Sequence, residues 1–244
     1  MSRKLKRIAM WSGPRNISTA LMRSWENRPD TCVVDEPFYA CYLASTQIRH
    51  PMQDEVLASQ SSDWDEVISK ALSASEPGHL RIQYQKHMTQ HMVGKIDKPW
   101  FASLSHAFLI RHPADVVVSY RAKRNEVTAA DIGFEQQSRL FDLVCDLSEQ
   151  PPPVVDSKDI LLNPELTLRK LCGALEVPFF EQMLHWPAGS RASDGVWASH
   201  WYQNVERSTG FAEYRHKTRT LTDAEQRVVD DCLPFYLALK KYCL

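Results

Sequence analysis

Arg7-Ile8-Ala9-Met10-Trp11-Ser12-Gly13-Pro14-Arg15-Asn16-Ile17-Ser18-Thr19-Ala20-Leu21 is the stretch on which the fold turns. It reads as a short apolar strand from Arg7 to Trp11, a turn at Gly13-Pro14, and a helix from Ser18 to Glu26. Short apolar runs recur at Thr31 to Asp35, Leu80 to Tyr84, Ala107 to Ile110 and Val154-Val155. Little polar alternation within them is the pattern of strands covered on both faces. Helical stretches separate the runs. Pro113 to Arg124 and Pro164 to Leu175 each start on a proline, which suits the first helical position. Phe134 to Ser148 and Asp223 to Tyr236 and beyond complete the set, with Pro234 expected to kink or end the last. Strands alternating with helices predict an α/β fold, a three-layer α/β/α arrangement on a central parallel sheet. Such sheets bind ligands beyond the carboxyl ends of their strands, so the functional search follows each strand.

The chain has 244 residues, room for one domain over 1–244. Hydrophobic residues make up 43% and charged residues 24%, which argues against disorder. With 29 Lys+Arg against 30 Asp+Glu the formal net charge is −1, which excludes a generally basic nucleic-acid coat. The charges are segregated all the same. Residues 1–24 hold six bases (Arg3, Lys4, Lys6, Arg7, Arg15, Arg23) and no acid, while residues 51–69 hold five acids and no base. A basic end of this kind favours an anionic partner. The six cysteines, at 32, 41, 145, 172, 232 and 243, include no C-x-x-C pair, so reduced thiols are expected. The apolar run after the basic start is only Ile8 to Trp11, too short for a secretory signal or a spanning helix. A cytoplasmic protein without membrane or nucleic-acid partners is the expectation; the sequence is silent on oligomeric state.

Two strand ends are candidate anion sites, the alternatives being an ordinary capped turn for the first and a solvated charged face for the second. After the first strand, a loop feeds a helix whose N-terminus presents free backbone N–H groups, with Arg15, Ser18 and Thr19 beside it. It is not a Walker A loop, since Gly-x-x-x-x-Gly-Lys-[Ser/Thr] is absent and the whole chain has 8 glycines. After the fourth strand comes Arg111-His112-Pro113-Ala114-Asp115-Val116-Val117-Val118-Ser119-Tyr120. Arg111 ends a buried strand, so its charge needs a partner, either a second bound anion or Asp115. Ser119 lies just over two helical turns on, followed by Arg121, Lys123 and Arg124.

These segments resemble the sulfotransferase family, closest to its bacterial small-molecule members. Gly13-Pro14-Arg15-Asn16-Ile17-Ser18-Thr19 resembles the family's 5′-phosphosulfate loop, with Ile17 standing where glycine is usual. Arg111 to Tyr120 resembles its 3′-phosphate motif, Arg-[Asn/His/Asp]-Pro-x-Asp-x-x-x-Ser-x. Asp159 to Cys172, continued by Val177-Pro178-Phe179, is similar to a third, helical segment, and the three occur in family order. The resemblance implies a P-loop NTPase-like sheet and the donor 3′-phosphoadenosine 5′-phosphosulfate, whose product is adenosine 3′,5′-bisphosphate. It implies that Gly13 to Thr19 hold the phosphosulfate, with Arg15 at the bridging oxygen, and that Arg111 and Ser119 hold the 3′-phosphate. Two anionic groups on one sugar suit two separate anion sites.

Sulfuryl transfer puts negative charge on a leaving phosphate oxygen, which arginine and N–H dipoles stabilise without a metal. The hydroxyl of a small-molecule acceptor needs a general base. The second strand ends Asp35-Glu36-Pro37-Phe38, similar to a Glu-[Pro/Tyr]-Phe segment of bacterial sulfotransferases whose glutamate is the base. Shelter by Pro37, Phe38 and Tyr39 would raise the pKa of Glu36. The third strand ends Lys86-His87, beside the family's Lys-Thr-His, making Lys86 a sulfonate contact and His87 a rival base. His87 and His91 are four apart, the spacing of a zinc pair if they share a helix or of a plain polar helix start. Asp35 imitates a magnesium-binding aspartate, which leaves a small-molecule kinase as the rival enzyme and a non-catalytic nucleotide-binding module as the other alternative. Trp11 or Trp197 is a candidate to stack on adenine, and Arg215, Lys217 and Arg219 to close on the 3′-phosphate.

Overall fold

The structure, a computed structural model, describes residues 5–73, 78–94, 98–122, 126–215 and 219–244. Arg3, Lys4, Lys123, Arg124 and Lys217 lie outside the described residues. Five strands, β1 (Lys6–Ser12), β2 (Thr31–Asp35), β3 (Ile82–Met88), β4 (Ser105–Ile110) and β5 (Val154–Asp156), pair in the order β2-β3-β1-β4-β5. Every pairing is parallel. The chain leaves central β1 for the β2 side and later crosses to β4, so strand order switches direction at β1.

Side-chain alternation along β1 divides the core in two. Ile8 and Met10 face the helices Ser18–Glu26, Tyr39–Thr46 and Pro164–Ala174. Ala9 and Trp11 face Pro113–Arg121, Phe134–Leu147 and Asp223–Lys240. This is the three-layer α/β/α arrangement that the strand–helix alternation implies.

The third strand extends beyond its apolar run. Its apolar run stops at Tyr84, yet β3 continues to Met88. Gln83, Gln85, Lys86 and His87 are all buried there. β3 is flanked by β1 and β2, so its backbone is fully laddered, and its polar side chains pair with each other and with neighbours. Gln85 Nε2 donates to Gln83 Oε1 at 2.7 Å and to the Ala71 carbonyl at 3.1 Å. Polarity is therefore a poor guide to burial here. His87 lies in the strand and His91 in a 3₁₀ turn, Thr89–His91, so they share no helical face. Pro234 does not end the last helix. The helix runs through it to Lys240, held by buried Val229, Cys232, Tyr236 and Leu239 on both sides of it.

Gly13 ends β1 where the chain passes close to the backbone of Ile132. A Cβ there would lie 2.8 Å from the Ile132 carbonyl oxygen, which cannot swing away as a side chain would. Gly13→Ala is expected to lower unfolding free energy by about 1–3 kcal/mol, read from a urea denaturation curve with an unchanged slope.

Candidate functional site

The loop after β1 takes an unusual path. Arg15 and Ile17 both have left-handed backbone, at φ 62° and 60°. For β-branched Ile17 this is a strained conformation, and it accounts for glycine being usual at this place in the resembling loop. Ile17 occupies the N-cap position of helix Ser18–Glu26 and supplies no side-chain cap. The first helical hydrogen bond is Leu21 N–H to the Ile17 carbonyl at 3.0 Å, so the N–H groups of Ser18, Thr19 and Ala20 have no intrahelical acceptor. These residues line a cavity of about 440 Å³.

The loop after β4 meets this one. Arg111 Nη1 donates to the Arg15 carbonyl at 2.6 Å, and Arg15 Nε donates to Ser119 Oγ at 3.0 Å. Arg15, Arg111 and Ser119 all line the cavity. Burial lowers the pKa of Arg15, and the like charge of Arg111 lowers it further. Burial also lowers Arg111, against the pull of more distant Asp115 and Asp156. Among the described residues neither guanidinium has an ion pair. The alternative pairing of Arg111 with Asp115 does not occur, because Arg219 takes Asp115 with two bonds of 2.8 and 3.0 Å. Two half-buried cations, without an ion pair among the described residues and beside an uncapped helix N-terminus, make an arrangement that can attract an anion.

The opposite wall carries the acids. β2 and β3 set Asp35 beside Lys86 in register. Lys86 Nζ donates to Asp35 Oδ1 at 2.9 Å, to Glu36 Oε1 at 2.5 Å and to Tyr202 Oη at 2.5 Å, which uses all three of its protons. Tyr202 in turn donates to Asp35 Oδ2 at 2.7 Å. The Gly195 N–H also reaches Oδ2, at 3.2 Å. Asp35 is thus committed to protein partners, unlike a metal-binding aspartate. Lys86 is held above its ordinary pKa by the two carboxylates, which outweigh its burial. Burial raises Glu36, and the attraction of Lys86 only partly offsets it. Glu36 has positive φ, 43°, and its Oε2 makes no hydrogen bond to a described residue.

Other sequence candidates fall elsewhere. His87 points to the opposite face of the sheet, stacked on Trp11 at 4.4 Å, with Nε2 against Gln85 Oε1 at 3.0 Å. Burial pushes its pKa down to about 3, and it does not line the cavity. Asn16 is turned inward, donating from Nδ2 to the Leu109 carbonyl at 3.2 Å. Gly13 lies at the packing contact described above. Trp11 and Trp197 are buried in the two cores, so neither is open to an adenine ring. Arg23 is spent on Asp194 at 2.6 Å, and Arg121 on Glu225 at 3.0 Å. Arg215 and Arg219 line a second cavity, of about 810 Å³, which shares Arg111 with the first.

Tyr202 and the aromatic residues Tyr39, His50, His91 and Trp201 complete the first cavity. The sequence singles out Trp197 as a stacking candidate and gives no local sign of the nearby Tyr202 phenol. The buried lysine was the usable signal, since two acids leave one ammonium proton needing an acceptor.

Residues 6–243 match the family described as sulfotransferase domain. The chain belongs to the sulfotransferase domain family. Two Arabidopsis thaliana relatives are described as branched-chain-amino-acid aminotransferase-like proteins 1 and 2. The first is 34% identical over 235 residues, 96% of this chain and 42% of the relative. The second is 32% identical over 233 residues, 96% and 41% respectively. The chain thus spans less than half the length of the curated relatives it matches. Among solved structures, the sulfotransferase domain from the curacin biosynthetic pathway superposes with a TM-score of 0.54 at 15% identity, covering 94% of this chain and 98% of that one. A sulfotransferase from Alicyclobacillus acidocaldarius gives 0.56 at 10% identity, covering 98% and 95%. Both share the three-layer fold. No helix among the described residues is long and apolar enough to cross a membrane.

Lys86→Met leaves Asp35 and Glu36 buried side by side without a counter-charge. A loss of about 3–5 kcal/mol of stability is expected, measured by chemical denaturation at neutral pH and shrinking in acid as the carboxylates take up protons.

Proposed function

We propose that this sulfotransferase-family chain transfers a sulfuryl group from 3′-phosphoadenosine 5′-phosphosulfate to a hydroxyl of a small-molecule acceptor. The observation that carries this is the pair Arg15 and Arg111, half-buried and without carboxylate partners among the described residues, in one cavity with the Glu36 carboxylate. The residues fit the donor: the left-handed loop and uncapped helix offer N–H groups for one anion, and Arg111 with Ser119 stands ready for the other. The neighbouring cavity shares Arg111 with the first and is lined by Arg215 as well, while Arg219 there is paired with Asp115. When bound, the donor supplies the sulfuryl group and a phosphate leaving group.

Each protein group then has a task. Arg15 and the N–H groups of Ser18 and Thr19 stabilise charge growing on the leaving oxygen. Glu36 accepts the acceptor's hydroxyl proton at Oε2, the oxygen its protein partners leave free. Lys86 fixes Oε1 and so orients the carboxylate; with every N–H committed, it reaches a sulfonate only by releasing one partner. Burial of Glu36 makes it a stronger base than an exposed carboxylate.

Calorimetry with adenosine 3′,5′-bisphosphate tests the donor site. Binding is expected, and Arg111→Ala should weaken it by about 1.5–3 kcal/mol, roughly ten- to a hundredfold; a folded protein that ignores the bisphosphate sinks the proposal. Glu36→Gln should keep bisphosphate affinity while product formation disappears, which separates an enzyme from a binding module. The base works deprotonated, so kcat/KM should rise with pH through the Glu36 pKa. That limb should lie above the ordinary carboxylate range because burial favours the neutral acid. A limb at the ordinary range, or one unchanged in Glu36→Asp, counts against Glu36 as the base.

A further inference from the structure

The acceptor end of the cavity holds two polar atoms that the protein leaves unpaired. They lie on the 3₁₀ turn Thr89–His91, immediately after β3. His91 Nδ1 and Gln90 Oε1 are both buried with no hydrogen-bond partner, and both residues line the same cavity as Glu36. His91 itself is only 3% exposed. An unpaired buried polar atom is destabilising, and native proteins keep few of them without a reason. The ring is also firmly set. It stacks on Tyr39 at 4.5 Å and on Tyr42 at 4.8 Å, and Tyr39 is hydrogen-bonded through its hydroxyl to His50.

The surroundings define what this turn can recognise. Burial, with the nearby charge of Lys86, keeps the His91 imidazole neutral. Its nitrogen and the Gln90 carbonyl are uncharged hydrogen-bonding groups among aromatic walls. Among the described residues, the ion-paired charges at this end are Asp35, Glu36 and Lys86, two carboxylates against one ammonium. A negatively charged acceptor is disfavoured there, and the one unpaired carboxylate oxygen, Glu36 Oε2, is the base's own.

We infer that His91, with Gln90, is a specificity-determining site for a second neutral hydrogen-bonding group on the acceptor, which would therefore be an uncharged ring or chain bearing at least two polar groups. One hydroxyl meets Glu36 and the other group meets the turn. This rests on the sulfuryl-transfer reading and narrows its acceptor.

The test uses cyclohexanol, the 1,2-, 1,3- and 1,4-cyclohexanediols and 4-hydroxycyclohexanecarboxylate as acceptors for the wild-type chain and His91→Phe. In the wild type at least one diol should exceed cyclohexanol in kcat/KM by about tenfold, one neutral hydrogen bond, and the carboxylate should be the poorest. His91→Phe should bring the diol ratio to near one, through KM, with bisphosphate affinity unchanged. The nitrogen resonance of the His91 ring should shift when that diol is added to the bisphosphate complex, and stay put with cyclohexanol. A diol preference that survives His91→Phe overturns the inference, as does a carboxylate turned over as well as the diols. Bisphosphate binding with no diol sulfated or shifting the resonance also overturns it. Absence of bisphosphate binding instead defeats the donor reading. If His91→Phe fails to fold, His91→Gln, which keeps a polar group, is expected to retain part of the diol preference, and equal rates in that variant refute the assignment.

Discussion

A single buried ammonium organises this molecule's chemistry. Lys86 sits near the end of a strand with neighbours on both sides, 1% exposed, and its three protons tie together β2, the residue after it and a tyrosine more than a hundred residues away. Ionised groups this deep are tolerated only when fully paired. The requirement explains several features at once. Asp35 must be acidic to balance the charge, Tyr202 must come in to take the last proton, and the segment from Gly195 to Tyr202 must fold over the strand ends to deliver it. The late segment becomes a cavity wall as a result of neutralising a lysine.

The sheet's polarity does the rest. Parallel strands send all their carboxyl ends to one edge, and each end here carries one element of the site: the Arg15 loop after β1, Glu36 after β2, Lys86 in β3, Arg111 after β4. Basic groups gather around the β1–β4 switch and acids around β2–β3. Two opposed local fields thus face each other across one cavity.

Much of this was legible in residue order. The β1 loop, the Arg111-to-Ser119 segment and Glu36 are local patterns: a strand, a turn and a helix start within some ten residues. What escaped depended on contacts distant in sequence. The extent of β3 was hidden because Gln83, Gln85 and His87 look like surface residues until their neighbours are known. Adjacent Lys86 and His87 look interchangeable as catalytic groups. The pleat sends them to opposite faces, one to the cavity and one against Trp11, and only the strand assignment reveals that. Tyr202 could not be paired with Lys86 by any spacing rule, and the indoles that promised a stacking surface were consumed by the cores.

Ile17 carries a last implication. A β-branched residue held left-handed stores strain, and the fold restrains it by packing Ile17 against the core while Arg111 grips the neighbouring Arg15 carbonyl. The loop's shape is thus set by contacts within the fold. A flexible glycine-rich loop would have to lose entropy each time it closed on an anion; this one has met that cost during folding. Its selectivity should then resemble that of a rigid mould, tolerant of little variation in the group it accepts and insensitive to the order in which donor and acceptor arrive.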